Sequence, residues 1–457
     1  MFPHRLVFTV LLATVIATGP VAAEDTTSVV WELRYSKDTT ETRTKEATEY
    51  HPPDSEKPVT PASSSTEVVV RLEPERLAIR ESETETIYDF EEKTVLRVDH
   101  GAKTLSRSSL FCDVGFRDAE FANRIMLSEV LGKAGVEDNP FDHTQLKVLF
   151  SMNRGDSGKP VEVREEDAML TFSVGDLKIT TFAPDKRLCP EALHATLRRF
   201  LVYCCNLHPD VRSRVVDDGH IPKTLRYRYQ NLPSVFEVDL RLETVKPTAA
   251  AISLPSGFKP MTDGQPLQAL LASVGAEAGE GSKSESDYLE EAKSFQDSNR
   301  AVDSLLTLFE MLLATGRQPV DRIREVTSRY KDDEQLQTLL TAMRVADEDP
   351  QRALDLNLSI DRDGLKKTHV LDIFQANYQT FLGNTDVALG LFIAALEVNP
   401  HIAGVYKDLG DIHYRQYDMR TAWHCWDAAR DLAPGHFMLG DIQKLEQRLE
   451  AEYPDFF

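Results

Sequence analysis

Hydrophobic and polar positions alternate along the first half of the chain and change to a helical period in the second. Trp31, Leu33 and Tyr35 alternate with Glu32, Arg34 and Ser36, the pattern of a strand buried on one face. Further strands are predicted at 68–70, 77–79, 86–90, 95–98, 146–152, 161–164, 169–174, 177–182, 225–229 and 235–242. In the last of these Phe236, Val238, Leu240 and Leu242 face one way, with Glu237, Asp239, Arg241 and Glu243 opposite. Short turns such as Glu91-Glu92-Lys93 and Asp99-His100-Gly101 join the strands, which predicts an antiparallel meander. Two helices interrupt it. One spans 118–133; the other opens at Pro190 and carries Leu193, Leu197, Phe200, Leu201 and Cys204 on one face.

Residues 39–66 lose the alternation to Thr, Glu, Pro and Ser and predict a mobile loop. Residues 263–287, with Gly275, Gly279 and Gly281, predict a flexible linker. After Tyr288 the period becomes 3.6 and stays so. The expected architecture is therefore multidomain: a mainly antiparallel β (α+β) domain over 24–262, then an all-α domain over 288–457. A flexible linker would let the two unfold independently.

Within the helical half, Ala388, Phe392, Ala395 and Pro400 recur as Ala422, Trp426, Ala429 and Pro434, each pair 34 positions apart; Ala376 and Gly410 keep the same offset. The physical sense is direct. Antiparallel helices approach closely only where side chains are small, an aromatic fills the space between hairpins, and a proline ends the second helix. This length and order of residue types resembles the tetratricopeptide repeat. Tyr406, Leu409 and Gly410 fit its first helix, whereas Asp372 and Gln375 depart from it in the preceding unit. The two clearest repeats are 369–402 and 403–436. The resemblance implies a groove lined by first helices, here Ile373, Asn377, Thr380 and Phe381 in one repeat and Lys407, Asp411, Tyr414 and Arg415 in the next. Such a groove would take a peptide with an apolar anchor and an acidic group.

The β-rich half resembles exported LolA-like β-sheet carriers in Tyr88-Asp89-Phe90 ahead of Val98-Asp99, in His220-Ile221-Pro222 before the last strands, and in the closing Pro255-Ser256-Gly257-Phe258-Lys259. That resemblance implies a lipid or apolar ligand for this domain and brings no functional residues with it.

Charge narrows the choice of partner. Acids outnumber bases 74 to 52, for a net −22, which argues against a phosphate backbone and disfavours an anionic membrane surface as partner. His4 and Arg5, the apolar run 6–18, Gly19-Pro20 and Val21-Ala22-Ala23 form a signal peptide over 1–23, and no cysteine stands at the cleavage site to take a lipid. No later run is long and apolar enough to span a bilayer. Export, to a periplasm or the medium, makes a disulfide between Cys189 and Cys204 or Cys205 a candidate, against the alternative of buried thiols. Gly155-Asp156-Ser157-Gly158 copies a serine-protease nucleophile loop, but the preceding histidines lack the setting that chemistry needs, and the residues suit a polar turn. No cofactor fingerprint or metal-ligand spacing occurs. The sequence thus points to an exported, non-enzymatic tetratricopeptide scaffold that binds protein or peptide in the cell envelope. A lipid or unfolded-protein carrier is the alternative, and a serine hydrolase a distant third. The mature chain is expected to begin at Glu24; N-terminal sequencing of the exported protein checks this, and retention of Met1 would refute it.

Overall fold

The computed structural model describes residues 30–43, 62–136, 144–149, 151–217, 219–231, 234–253, 255–261, 265–277 and 282–457. The signal peptide, Glu24 and the middle of the 39–66 stretch lie outside them. The first half builds one twelve-stranded sheet from β1 (Val30–Arg43), β2 (Ala62–Leu72), β3 (Arg76–Glu81), β4 (Thr84–Asp89), β5 (Thr94–Asp99), β6 (Thr104–Ser109), β7 (Val161–Glu166), β8 (Met169–Val174), β9 (Leu177–Leu188), β10 (His220–Asn231), β11 (Ser234–Thr248) and β12 (Lys259–Pro260). Its order is β12-β6-β5-β4-β3-β2-β1-β11-β10-β9-β8-β7. Two antiparallel meanders meet where β1 pairs with β11, and only the two-residue β12 runs parallel to its neighbour.

Between β6 and β7 lie α1 (Phe111–Lys133) and α2 (Thr144–Leu149); between β9 and β10 lie α3 (His194–Tyr203) and α4 (Pro209–Asp217). The apolar face of the sheet is covered by α3 and α4. Leu33, Tyr35, Val68, Val70, Leu72, Phe172 and Leu240 pack with Leu193, Leu197, Phe200, Val211 and Val215 in one buried core. Tyr35 stacks on Phe200 at 5.9 Å. The alternation read at 31–36 and 235–242 is what places these side chains on one face.

Three expectations need correction. The predicted strand at 146–152 is instead the short helix α2, because a brief apolar run carries no period that separates helix from strand. The loop at 39–66 is shorter than expected: β1 runs on to Arg43 and β2 starts at Ala62, with Glu41 paired to Ala62. Polar strand ends lack the hydrophobic alternation that would mark them. The third is the linker. Residues 266–277 form α5 (Pro266–Glu277), whose Leu267, Leu271 and Val274 are buried in the helical core.

The helical half continues as α6 (Glu285–Asp297), α7 (Ala301–Thr315), α8 (Val320–Arg329), α9 (Glu334–Val345), α10 (Pro350–Leu358), α11 (Thr368–Phe381), α12 (Thr385–Val398), α13 (Ala403–Arg415), α14 (Met419–Leu432) and α15 (Gly440–Glu452). The molecule is thus an antiparallel sheet followed by an all-helical region, the expected fold class. The two halves share a core. Phe111 and Val114 of α1 and Val202 of α3 belong to the same buried cluster as Trp423 and Phe456. At Gly115 a Cβ would overlap the Trp423 ring, so α1 reaches α14 only because that position has no side chain. Arg448 pairs with Asp118 at 2.6 Å, and Tyr453 donates to the same carboxylate at 2.7 Å. Phe456 packs edge-on against Tyr203, whose hydroxyl donates to the Phe456 carbonyl at 2.8 Å.

This shared core predicts one cooperative thermal transition for both halves. Gly115→Val should destabilise the joint by about 1–3 kcal/mol through overpacking and separate the transition into two. Calorimetry of the wild type showing two independent transitions would overturn it.

Candidate functional site

Two consecutive hairpins, α11–α12 and α13–α14, occupy the predicted repeats. Ala376, Ala388, Phe392 and Ala395 of the first are fully buried; so are Ala422 and Ala429 of the second, with Trp426 nearly so. The small-residue rule holds at atomic detail: a Cβ on Gly410 would run into the Trp426 indole and the Ala422 carbonyl. Trp426 Nε1 is left to donate to the Lys407 carbonyl at 3.3 Å and to Asp411 Oδ1 at 3.2 Å. The hairpin turns repeat too. Gly383 (φ 81°) and Tyr417 (φ 63°), 34 positions apart, hold the left-handed conformation, and Asp418 caps the helix that follows by accepting from Thr421 N. Pro400 and Pro434 each stand two residues past the end of a second helix.

The face made by the first helices is not open along its length. Helix α7 packs across α9, α11 and α13, and its residues 301–311 are all buried. One stripe of α7 is polar: Asp303, Thr307 and Glu310 are spaced three and four apart. Glu310 is the centre of a buried polar node. It accepts from Lys367 Nζ at 2.7 Å and from Asn399 Nδ2 at 2.6 Å, and lies 3.1 Å from His369 Nε2. Burial alone would raise this carboxyl. Hydrogen bonds from His369 and Lys367 and their charges outweigh it, and hold the group down to about 2. Lys367 also pairs with Glu291 of α6 at 2.9 Å. Further along, Gly404 lets the Leu313 carbonyl approach α13, and His436 Nε2 sits 3.1 Å from that same oxygen.

The predicted groove residues therefore divide. Ile373 is fully buried in the helical core and is not a surface contact, a correction to its expected role. Asn377 and Thr380 spend their donors on the carbonyls of Ile373 and Ala376, at 3.2 and 2.9 Å. Lys407 is bound to Asp411 at 2.7 Å and faces Asp408 at 3.5 Å; burial pushes Asp408 up to about 6 in spite of that lysine. Tyr414 is half-buried against Trp423 and Trp426. Two of the eight stay open: Phe381, 60% exposed, and Arg415, whose Nε donates to the Asp411 carbonyl of its own helix at 3.2 Å. Exposed Tyr417, in the turn that follows Arg415, bonds Asn123 of α1.

Sequence reasoning missed the Glu310 node. The available signal was the polar stripe within an otherwise apolar helix at 301–315.

The other candidates have local explanations. Ser157 is buried and donates to the Lys159 carbonyl at 2.9 Å, while Asp156 accepts from the amides of Met152 and Asn153, the bonds of a closed turn. All five cysteines are free, which corrects the candidate disulfide: Cys189 and Cys205 pack as apolar side chains under the sheet, and burial pushes the Cys189 thiol up to about 12. Among the described residues no group of His, Cys, Asp and Glu is arranged to hold a metal ion, and no helix is long and apolar enough to cross a membrane.

No family model and no curated protein matches the chain. Among solved structures, one of lipovitellin, described in terms of lipid–protein interactions, is similar at 12% identity with a TM-score of 0.19, over 91% of this chain and 53% of the lipovitellin chain. This chain thus spans about half the length of that neighbour, and a score so low carries no correspondence of fold or ligand.

Because Glu310 is held below its ordinary 4.5, its ionised form stabilises the fold above that pH. The contribution fades as pH falls from 4.5 towards 2. Glu310→Gln should cost about 3 kcal/mol at neutral pH, and the gap to wild type should close on acidification through that window. Denaturant melts at several pH values test it; a gap that does not change with pH would refute the charged node.

Proposed function

We propose that this protein is an exported, non-catalytic scaffold of the tetratricopeptide type that holds a protein or peptide partner on its helical half. The observation that carries this reading is the 34-residue recurrence, repeated in residue types, in the left-handed turns at Gly383 and Tyr417, and in the seating of Trp426 against Gly410. With α7 lying across the first turns of α11 and α13, the partner face contracts to the far ends of these helices. Phe381 supplies the apolar contact there and Arg415 the positive charge, which fits an extended peptide with an apolar residue and a nearby carboxylate.

The carrier alternative has less support. Its ligand would need the apolar face of the sheet, and α3 and α4 fill that face with their own side chains.

Phe381→Ala with Arg415→Ala should leave the thermal melt within about 0.5 kcal/mol, since both side chains are exposed. The pair should weaken capture of envelope proteins by roughly tenfold, a loss of ~1.4 kcal/mol. Capture by the double variant equal to that of the wild type would remove this face from the proposal.

A further inference from the structure

Among the described residues, strand β7 ends the sheet with a free edge. It pairs with β8 along its whole length, from Val161–Val174 to Glu166–Met169, and no described strand follows it in the sheet order. The β7–β8 connection is a two-residue turn with Asp167 and Ala168 both left-handed, at φ 49° and 62°. Such a turn makes Glu166–Met169 a hydrogen-bonded pair, and the antiparallel ladder alternates from there. Glu162, Arg164 and Glu166 therefore turn their backbone groups to β8. The N–H and C=O groups of Val161, Val163 and Glu165 point to the open edge.

We propose that this edge takes a second copy of the same chain, strand β7 pairing antiparallel with its symmetry mate about a two-fold axis at Val163. Three observations select that occupant and that register. Centring on Val163 sets Val161 opposite Glu165 of the mate, Val163 opposite Val163, and Glu165 opposite Val161. All three are positions whose backbone groups face outward, so none is wasted. The same register sets Glu162 opposite Arg164 twice, once on each side of the axis, which turns the edge charges into complementary cross-strand pairs. A shift of two residues, centring on Arg164, would instead oppose Arg164 to itself and Glu162 to Glu166. Finally, Val163 is 48% exposed on the face that also carries buried Phe172, at the rim of a cavity of about 470 Å³ bounded by Lys159, Pro160 and Asp210. The mate's Val163 would cover it. The contact is isologous, as a closed dimer requires, and it joins two sheets into one.

Edge charges also serve to keep strands apart, so the variants are chosen to separate the two roles. The Val163 N–H takes no part in the β7–β8 ladder, so Val163→Pro should leave the fold intact and remove the central pair of bonds. Sedimentation of the full mature chain over a concentration series should show a monomer–dimer equilibrium that this variant shifts to monomer. Arg164→Glu should raise the dimer dissociation constant about tenfold or more, because Glu162 of each copy would then face a second carboxylate across the interface. The exchange of Glu162→Arg with Arg164→Glu should restore dimerisation. A wild type that stays monomeric at every concentration, or a dimer indifferent to Val163→Pro and Arg164→Glu, would overturn the proposal.

Discussion

Two tryptophans seated against two glycines hold the helical half together and fasten it to the sheet. Trp426 fills the space above Gly410 inside the last hairpin, and Trp423 fills the space above Gly115 of α1. Their rings meet edge to face at 5.0 Å, so the two joints are one object. The indole nitrogens are both satisfied, Trp423 by buried Glu446 at 3.1 Å and Trp426 by Asp411 and the Lys407 carbonyl. A buried N–H without an acceptor would cost about 1–3 kcal/mol, and here each bond also fixes the ring's orientation. Arg430 completes the arrangement by pairing with both oxygens of Glu446 at 2.9 Å. The hairpin cannot shift without disturbing the contact to α1, and through Phe111, stacked on Trp423, the edge of the sheet.

This coupling explains which parts of the fold were legible in the sequence. Repeat residues obey local rules: a small residue where backbones touch, an aromatic where hairpins meet, a proline where a helix stops. Those rules are written at fixed spacing, and Ala388, Ala422 and Gly410 could be read directly. Strand alternation was legible for the same reason, because one buried face forces a period of two. Gly115 carries as much structural weight as Gly410, yet nothing in its neighbourhood repeats. Its partner Trp423 lies in the last hairpin, far along the chain, so only the tertiary fold gives it meaning. Helix α5 was misread for a related reason: its glycine and alanine content suits a linker until Leu267 and Leu271 find α12 and α14 to pack on.

The groove shows the same limit in a sharper form. Spacing put Ile373, Phe381 and Arg415 on one open face, but only Phe381 and Arg415 remain exposed and Ile373 is buried in the helical core. Spacing says nothing about what else the chain places there. The α6–α7 hairpin lies far enough upstream to carry no repeat signature, but it seats a glutamate among Lys367, His369 and Asn399 much as an acidic ligand would be held. The cationic groups on this side are thus already taken within the chain, Lys367 by Glu310 and Lys407 by Asp411.

What α7 leaves uncovered limits the proposed ligand further. The first helices rise about 1.5 Å per residue, so the stretch from Asn377 to Phe381 or from Asp411 to Arg415 offers only ~6 Å along each axis. A helical ligand is ~10–12 Å across and would rest mostly outside so narrow a strip. An extended segment, with neighbouring strands spaced ~4.8 Å apart, matches it. Asn377, Thr380 and Lys407 are already bonded within their own helices, so an extended ligand would find few free side-chain partners for its backbone there. Its affinity would rest on its own side chains, chiefly the apolar contact at Phe381 and the charge at Arg415. With α7 filling the rest of the face, a partner of this kind would bind modestly and exchange readily.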